Sequence, residues 1–133
     1  MLDKDTDLAY IADLLVPAAK AAAENAYVPY SERATGAAIL TADGIIYGGA
    51  AVEVGVFSAS ICAERAAIAS AVTAGETQFD AVAVYSFGGE PICPCGLCME
   101  TIAEFVKGIV VIAACDEKMD IYYIEDIKNL GKK

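Results

Sequence analysis

The sequence predicts a single three-layer α/β/α domain, a mixed sheet of about five strands with helices on both faces, and three observations support it. Segments with helical hydrophobic spacing alternate with short apolar runs of strand length. Glycine and proline punctuation separates them at intervals that suit one α/β unit. At 133 residues, 57% hydrophobic and 21% charged, the chain has the size of one domain and too much apolar material for disorder. The predicted domain spans 1–133, with 1–16 as an N-terminal extension or leading helix.

From Thr6, a plausible N-cap, Leu8, Ile11, Leu14 and Leu15 recur at helical spacing, and the alanine-rich stretch 18–26 continues as helix. Proline is tolerated in a first helical turn and disruptive inside a helix, so a break is expected near Val16, with the main helix starting at about Pro17. Val28-Pro29 ends it. Residues 35–40 and 45–54 flank Ala42-Asp43-Gly44 and read as a β-hairpin, with Gly48 and Gly49 weakening the second strand. A helix is expected over 61–73, its small residues Ala63, Ala66, Ala67 and Ala71 permitting close packing, with Gly75 as its stop. Residues 79–86 read as a buried strand. Pro91 and Pro94 hold an irregular segment before a third helix from about Cys95 to Val106, with Gly108 as its stop. A strand over 108–114, a short strand over 121–123 and a final helix over 124–130 complete the pattern.

Charge and composition narrow the function. Nineteen acidic against nine basic residues give a net charge of −10, so a polyphosphate backbone would be bound against the protein's own field and no nucleic-acid partner is expected. No apolar run reaches the ~18 residues of a membrane span, and the N-terminus lacks a basic stretch followed by an apolar one, so a cytoplasmic protein without a membrane partner is expected. There is no histidine, which removes histidine bases, histidine ligands and Ser/His/Asp triads. Five cysteines, three of them at 93, 95 and 98, suggest metal or thiol chemistry rather than a disulfide framework.

Cys62, Cys95 and Cys98 each fall in the first turn of an expected helix, where free N–H groups and the helix dipole favour a thiolate. The i, i+3 spacing of Cys95 and Cys98 puts both sulfurs on one face, and Cys62 supplies a third corner of a tetrahedron around one Zn²⁺ per chain. The open fourth corner marks a catalytic site, where the metal lowers the pKa of water from ~15.7 toward ~7. Glu64, two residues after Cys62, can stand beside such a metal and shuttle protons without ligating it. Two other readings stand beside this one. Cys62, Cys93, Cys95 and Cys98 together would make a closed, non-catalytic structural zinc site, which leaves Glu64 unexplained. Cys-x-x-Cys at a helix start also suits a thiol oxidoreductase, although no proline follows Pro94 to face the dithiol. Cys115 reads as a small buried hydrophobe, and Cys93 has no assigned role.

The segments Ala26-Tyr27-Val28-Pro29-Tyr30-Ser31, Thr35-Gly36-Ala37-Ala38, Cys62-Ala63-Glu64-Arg65 and Pro94-Cys95-Gly96-Leu97-Cys98 resemble the small homotetrameric cytidine deaminases. The resemblance runs from about Glu24 to Phe105. It implies a cytidine-deaminase-like fold, a homotetramer or dimer, zinc on Cys62, Cys95 and Cys98, and Glu64 as proton shuttle in deaminating a free cytidine or deoxycytidine. It also implies that the Ala63 amide touches the pyrimidine carbonyl and that Glu53 holds the ribose hydroxyls. Three thiolates on Zn²⁺ sum to −1, which calls for a nearby cation, and Arg65 is that residue.

Several positions depart from the family pattern. The arginine usual after the last cysteine is Met99 and the following glutamine is Glu100, so a less compensated site, whose activity rises late with pH, is expected. Ala51 replaces the asparagine that shares the ribose with Glu53, and Arg33 replaces an aromatic ring near the base, where it would stack or pair with an acidic substituent. The usual C-terminal aromatic has no counterpart in residues 129–133. A blasticidin-S-like deaminase of another amino-heterocycle is therefore the alternative substrate reading.

Overall fold

The computed structural model describes residues 4–88, 96–105 and 110–123. Helix α1 (Lys4–Ala23) is followed by strands β1 (Thr35–Thr41) and β2 (Ile46–Ala50), helix α2 (Ala63–Thr73), β3 (Phe79–Ser86), α3 (Gly96–Phe105), β4 (Val110–Cys115) and β5 (Met119–Tyr123). The strands lie in the order β2-β1-β3-β4-β5. Only β3 and β4 run parallel, as the crossover through α3 requires; the other neighbours are antiparallel. The expected mixed five-stranded sheet is therefore present.

Strand alternation divides the core in two. Ala38, Leu40, Ala81, Ala83, Tyr85, Ile112 and Ala114 face α1, whose stripe Ala12, Leu15, Ala19 and Ala23 is buried at intervals of three and four residues. Ile39, Val82 and Val111 face the other way, against Ile68 and Ala71 of α2 and Ile102 of α3. Phe79 and Phe105 close this layer at a centroid separation of 5.5 Å.

The expected break at Val16 does not occur: among the described residues, one helix continues from Lys4 to Ala23. α1 runs through Pro17 because that residue lies on its exposed face, where water can take the carbonyl that proline leaves without a donor, while the buried stripe continues past it. The hairpin is present, turning at Gly44 (φ +86°), with the Thr41 hydroxyl accepting the Ile45 N–H at 3.0 Å. β2 stops at Ala50 rather than 54, because residue 52 leaves β1 to bridge Tyr27 on one side and Ile61 on the other. Gly49 has a packing role: a Cβ there would lie 2.3 Å from the Ala67 nitrogen and 2.7 Å from the Ala63 oxygen, so its absence lets α2 press against the sheet. Cys93, Cys95, Pro91, Pro94, Gly108 and the helix expected over 124–130 lie outside the described residues.

Candidate active site

α2 runs antiparallel to β3. Its first residue, Ala63, packs with Ala67 on Ala37 of β1, whereas Ile68 and Ala71 pack further down the sheet with Val82 and Phe79. Its N-terminus therefore lies at the C-terminal end of β3, where the β3–α3–β4 crossover also starts α3. In α/β sheets this end of the strands is where ligands bind. Cys62 is the N-cap of α2, in extended conformation (φ −71°, ψ 149°), and its side chain makes no capping bond. The first amides of α2 thus have neither an intrahelical acceptor nor a Cys62 cap.

Glu64 is 5% exposed. Burial pushes its carboxyl above the usual range, opposed by its own backbone N–H, by the Cys98 thiol that donates to it and by the charge of Arg65. Cys98, from the first turn of α3, is fully buried. Arg65 contacts both sulfurs. Burial opposes its charge, but hydrogen bonds and attraction to Cys62 and Cys98 outweigh that and raise its pKa. Its Nη2 donates to the Ser60 carbonyl at 3.0 Å, and its Nε is buried with no partner.

The structure thus brings Cys62, Glu64, Arg65 and Cys98 together, with Ala63 between the first two. Two soft sulfur donors from two helix starts, a guanidinium against both and a buried carboxylate fit a thiolate-ligated zinc. Cys95, the third expected ligand, and Cys93 lie outside the described residues, among which no group of three possible ligands forms.

Beside this cluster is a cavity of about 340 Å³ lined by Tyr30, Ser31, Glu53, Val54, Gly55 and Ser60. Glu53 Oε1 accepts the N–H groups of Tyr30 (3.1 Å) and Ser31 (3.0 Å). The Ser31 amide and side chain, with a lesser contribution from the Tyr30 amide, hold the carboxyl below its ordinary value against the opposing effect of burial. Residues 51–53 are fixed from both sides: Tyr27 N–H to the Ala51 carbonyl (2.9 Å), Glu53 N–H to the Tyr27 carbonyl (2.8 Å) and Val52 with Ile61 in both directions. Ala51 packs against the Ala37, Ala63 and Ala67 cluster, which joins the cavity wall to the start of α2. Sequence reasoning missed Ser60. Its hydroxyl accepts the Val54 N–H at 3.0 Å while its carbonyl takes Arg65, so one residue ties the cavity wall to the cation. Its place two residues before Cys62 was the available signal.

Arg33 is held at the end of β3. Its Nε donates to the Phe87 carbonyl at 3.2 Å and its guanidinium lies against Gly88. There Asp116 accepts the Gly88 N–H at 3.0 Å and the Tyr85 hydroxyl. The Asp116 carboxylate pushes the Tyr85 phenol up to about 12.

The chain is similar to known proteins over most of its length. Residues 11–114 match the family described as cytidine and deoxycytidylate deaminase zinc-binding region. A cytidine deaminase of Sporosarcina psychrophila is 43% identical over 107 residues, covering 80% of this chain and 79% of that one. A crystal structure of cytidine deaminase from Burkholderia pseudomallei superposes with a TM-score of 0.80 at 38% identity, over 85% of this chain and 92% of that one. A blasticidin-S deaminase of Bacillus cereus is more distant, 30% identical over 69% of this chain and 71% of that one.

Proposed function

The chain belongs to the cytidine and deoxycytidylate deaminase family, and from that premise we propose that it converts cytidine or deoxycytidine and water into the uracil nucleoside and ammonia. It is a zinc-dependent aminohydrolase. The observation that carries the assignment of roles is the buried Glu64 carboxylate at the start of α2, bonded to Cys98 and one residue from the arginine that touches both sulfurs.

Cys62, Cys95 and Cys98 would hold one zinc per chain, and the bound metal supplies a Lewis acid that makes water a nucleophile near neutral pH. Arg65 offsets the excess negative charge of three thiolates. The Glu64 carboxylate takes a proton from the attacking water and passes it to the ring nitrogen. A C–O bond forms at the amine-bearing carbon, the C–N bond breaks, and Glu64 gives the second proton to the departing ammonia. Burial favours the protonated form of Glu64, which makes its carboxylate a stronger base toward the attacking water. The Ala63 amide, at the start of α2, takes the pyrimidine carbonyl oxygen. Glu53, ionised because two amides hold Oε1, offers Oε2 to the ribose hydroxyls. Ala51 supplies no polar group there, so the ribose rests on Glu53.

Three further expectations belong to this proposal. A small nucleoside rather than a polynucleotide suits a chain of net charge −10. The exposed apolar side chains of Tyr27, Tyr30, Val52, Val54, Val56 and Ile61 support the homotetramer, or dimer, that the resemblance implies. Free thiols at Cys62, Cys98 and Cys115 suit the cytoplasm, and no described helix is long and apolar enough to cross a membrane.

The test is a substrate panel with the zinc-loaded protein, covering cytidine, deoxycytidine, cytosine and blasticidin S, followed by ultraviolet absorbance and ammonia release. Turnover of the two nucleosides is expected. Turnover of blasticidin S with none of the pyrimidines would move the substrate and leave the chemistry; no turnover of any would overturn the proposal.

A further inference from the structure

Ser86, the last residue of β3, is fully buried, and its hydroxyl has no hydrogen-bond partner. Native proteins rarely keep such a group without a use for it. Alternation along β3 fixes the direction of the side chain. Ala81, Ala83 and Tyr85 face α1 and Val82 faces α2 and α3, so Val84 and Ser86 face α2 and α3 as well. Ser86 pairs laterally with Thr35 and Cys115, one row beyond Ala37, the partner of Val84 in register and the residue on which Ala63 packs. That row lies under the start of α2. Cys98 is one helical turn before Ile102 on the same face of α3, and Ile102 packs in the cluster of Val82 and Val111. One turn back along α3 carries Cys98 toward the Ser86 end of β3.

We propose that the Ser86 hydroxyl is a positioning donor of the metal centre, giving its hydrogen bond to the Cys98 sulfur when that sulfur is a metal-bound thiolate. This rests on the zinc assignment made above. A thiol is a weak acceptor, whereas coordination converts it to a thiolate, which accepts strongly. The charge balance creates the need for such a donor. Arg65 is shared between Cys62 and Cys98, and the arginine that the family places after the last cysteine is Met99 here. A hydroxyl below the cluster supplies a second donor without adding charge, and outer-shell donors of this kind orient and tune metal ligands.

The test compares wild type, Ser86→Ala and Ser86→Thr by three measurements: zinc affinity from chelator competition, the sulfur-to-cobalt charge-transfer band of the Co²⁺-loaded proteins, and melting of the metal-free proteins. Ser86→Ala is expected to weaken zinc binding about ten-fold and to shift the charge-transfer band to lower energy, since a thiolate that loses a donor gives up charge more readily. Its metal-free melting temperature stays equal to or above that of wild type, because the deleted hydroxyl had no partner. Ser86→Thr restores the band. A serine with only a packing or water-binding role leaves band and affinity at wild-type values in Ser86→Ala, and that result overturns the proposal. A wild-type protein with no thiolate band at all would overturn the zinc assignment itself, which separates the two failures.

Discussion

Glu64→Gln is expected to reduce kcat for cytidine deamination by about 10³-fold or more while the protein keeps one zinc per chain. The two side chains have nearly the same shape, and the glutamine oxygen can still accept the backbone N–H at residue 64. What is lost is the ability to carry a proton, which the reaction needs twice. Zinc content by mass spectrometry and steady-state kinetics on the same sample check both halves. Activity within ten-fold of wild type would remove Glu64 from the proton path. The wild-type pH profile carries the same information with a defined sign. Burial raises the Glu64 carboxyl, so its base form is lost as pH falls through a value above that of an ordinary glutamate. An arginine missing from the metal surroundings acts in the same direction by making the site more negative. Activity should therefore rise late with pH, and full activity already at about pH 6 would contradict this.

The second large effect is expected at Gly49, on the strand that packs against the first turn of α2. An added Cβ there would meet the backbone of α2 at Ala67, Ala63 and Ala66, at 2.3, 2.7 and 2.8 Å, and backbone cannot step aside as a side chain can. Gly49→Ala should cost about 3 kcal/mol of stability, the upper part of the range for overpacking, or a melting point lower by about 10 °C. Because the displaced turn carries Ala63 and Glu64 and follows Cys62, zinc content and kcat/KM should fall with it. Gly48 is the control. Its Cβ would find ordinary contacts of 3.7 and 3.8 Å, so Gly48→Ala should leave melting and activity near wild type. Equal behaviour of the two variants would refute the close approach of α2.

These glycines show where sequence reasoning reached its limit. Hydrophobic period placed β1, β3 and α2 within a residue or two, since those segments bury one stripe or both faces and pattern follows burial. It misjudged Pro17, because the rule against interior proline does not know which face of a helix meets water. It also ran β2 too far, because the bridges to Tyr27 and Ile61 that redirect residue 52 come from segments distant in sequence. At the site, Cys62, Glu64 and Cys98 come together because all three sit at helix starts, which local sequence signals mark. The place of Arg33 was not legible. Its neighbour Glu32 adopts φ +60°, and the chain turns so that Arg33 reaches Phe87, 54 residues away, a direction that residue type alone does not encode. Glu53 was expected at the ribose from resemblance alone, whereas the two amides that hold its Oε1 are a product of the loop geometry.

X-ray absorption at the zinc edge of the loaded protein tests the central claim most directly, by counting the atoms around the metal. Three sulfur neighbours at about 2.3 Å and one oxygen at about 2.0 Å are expected, the signature of three cysteines and a position left for the reacting water. Four sulfurs, or a purified protein that retains no zinc, would contradict it.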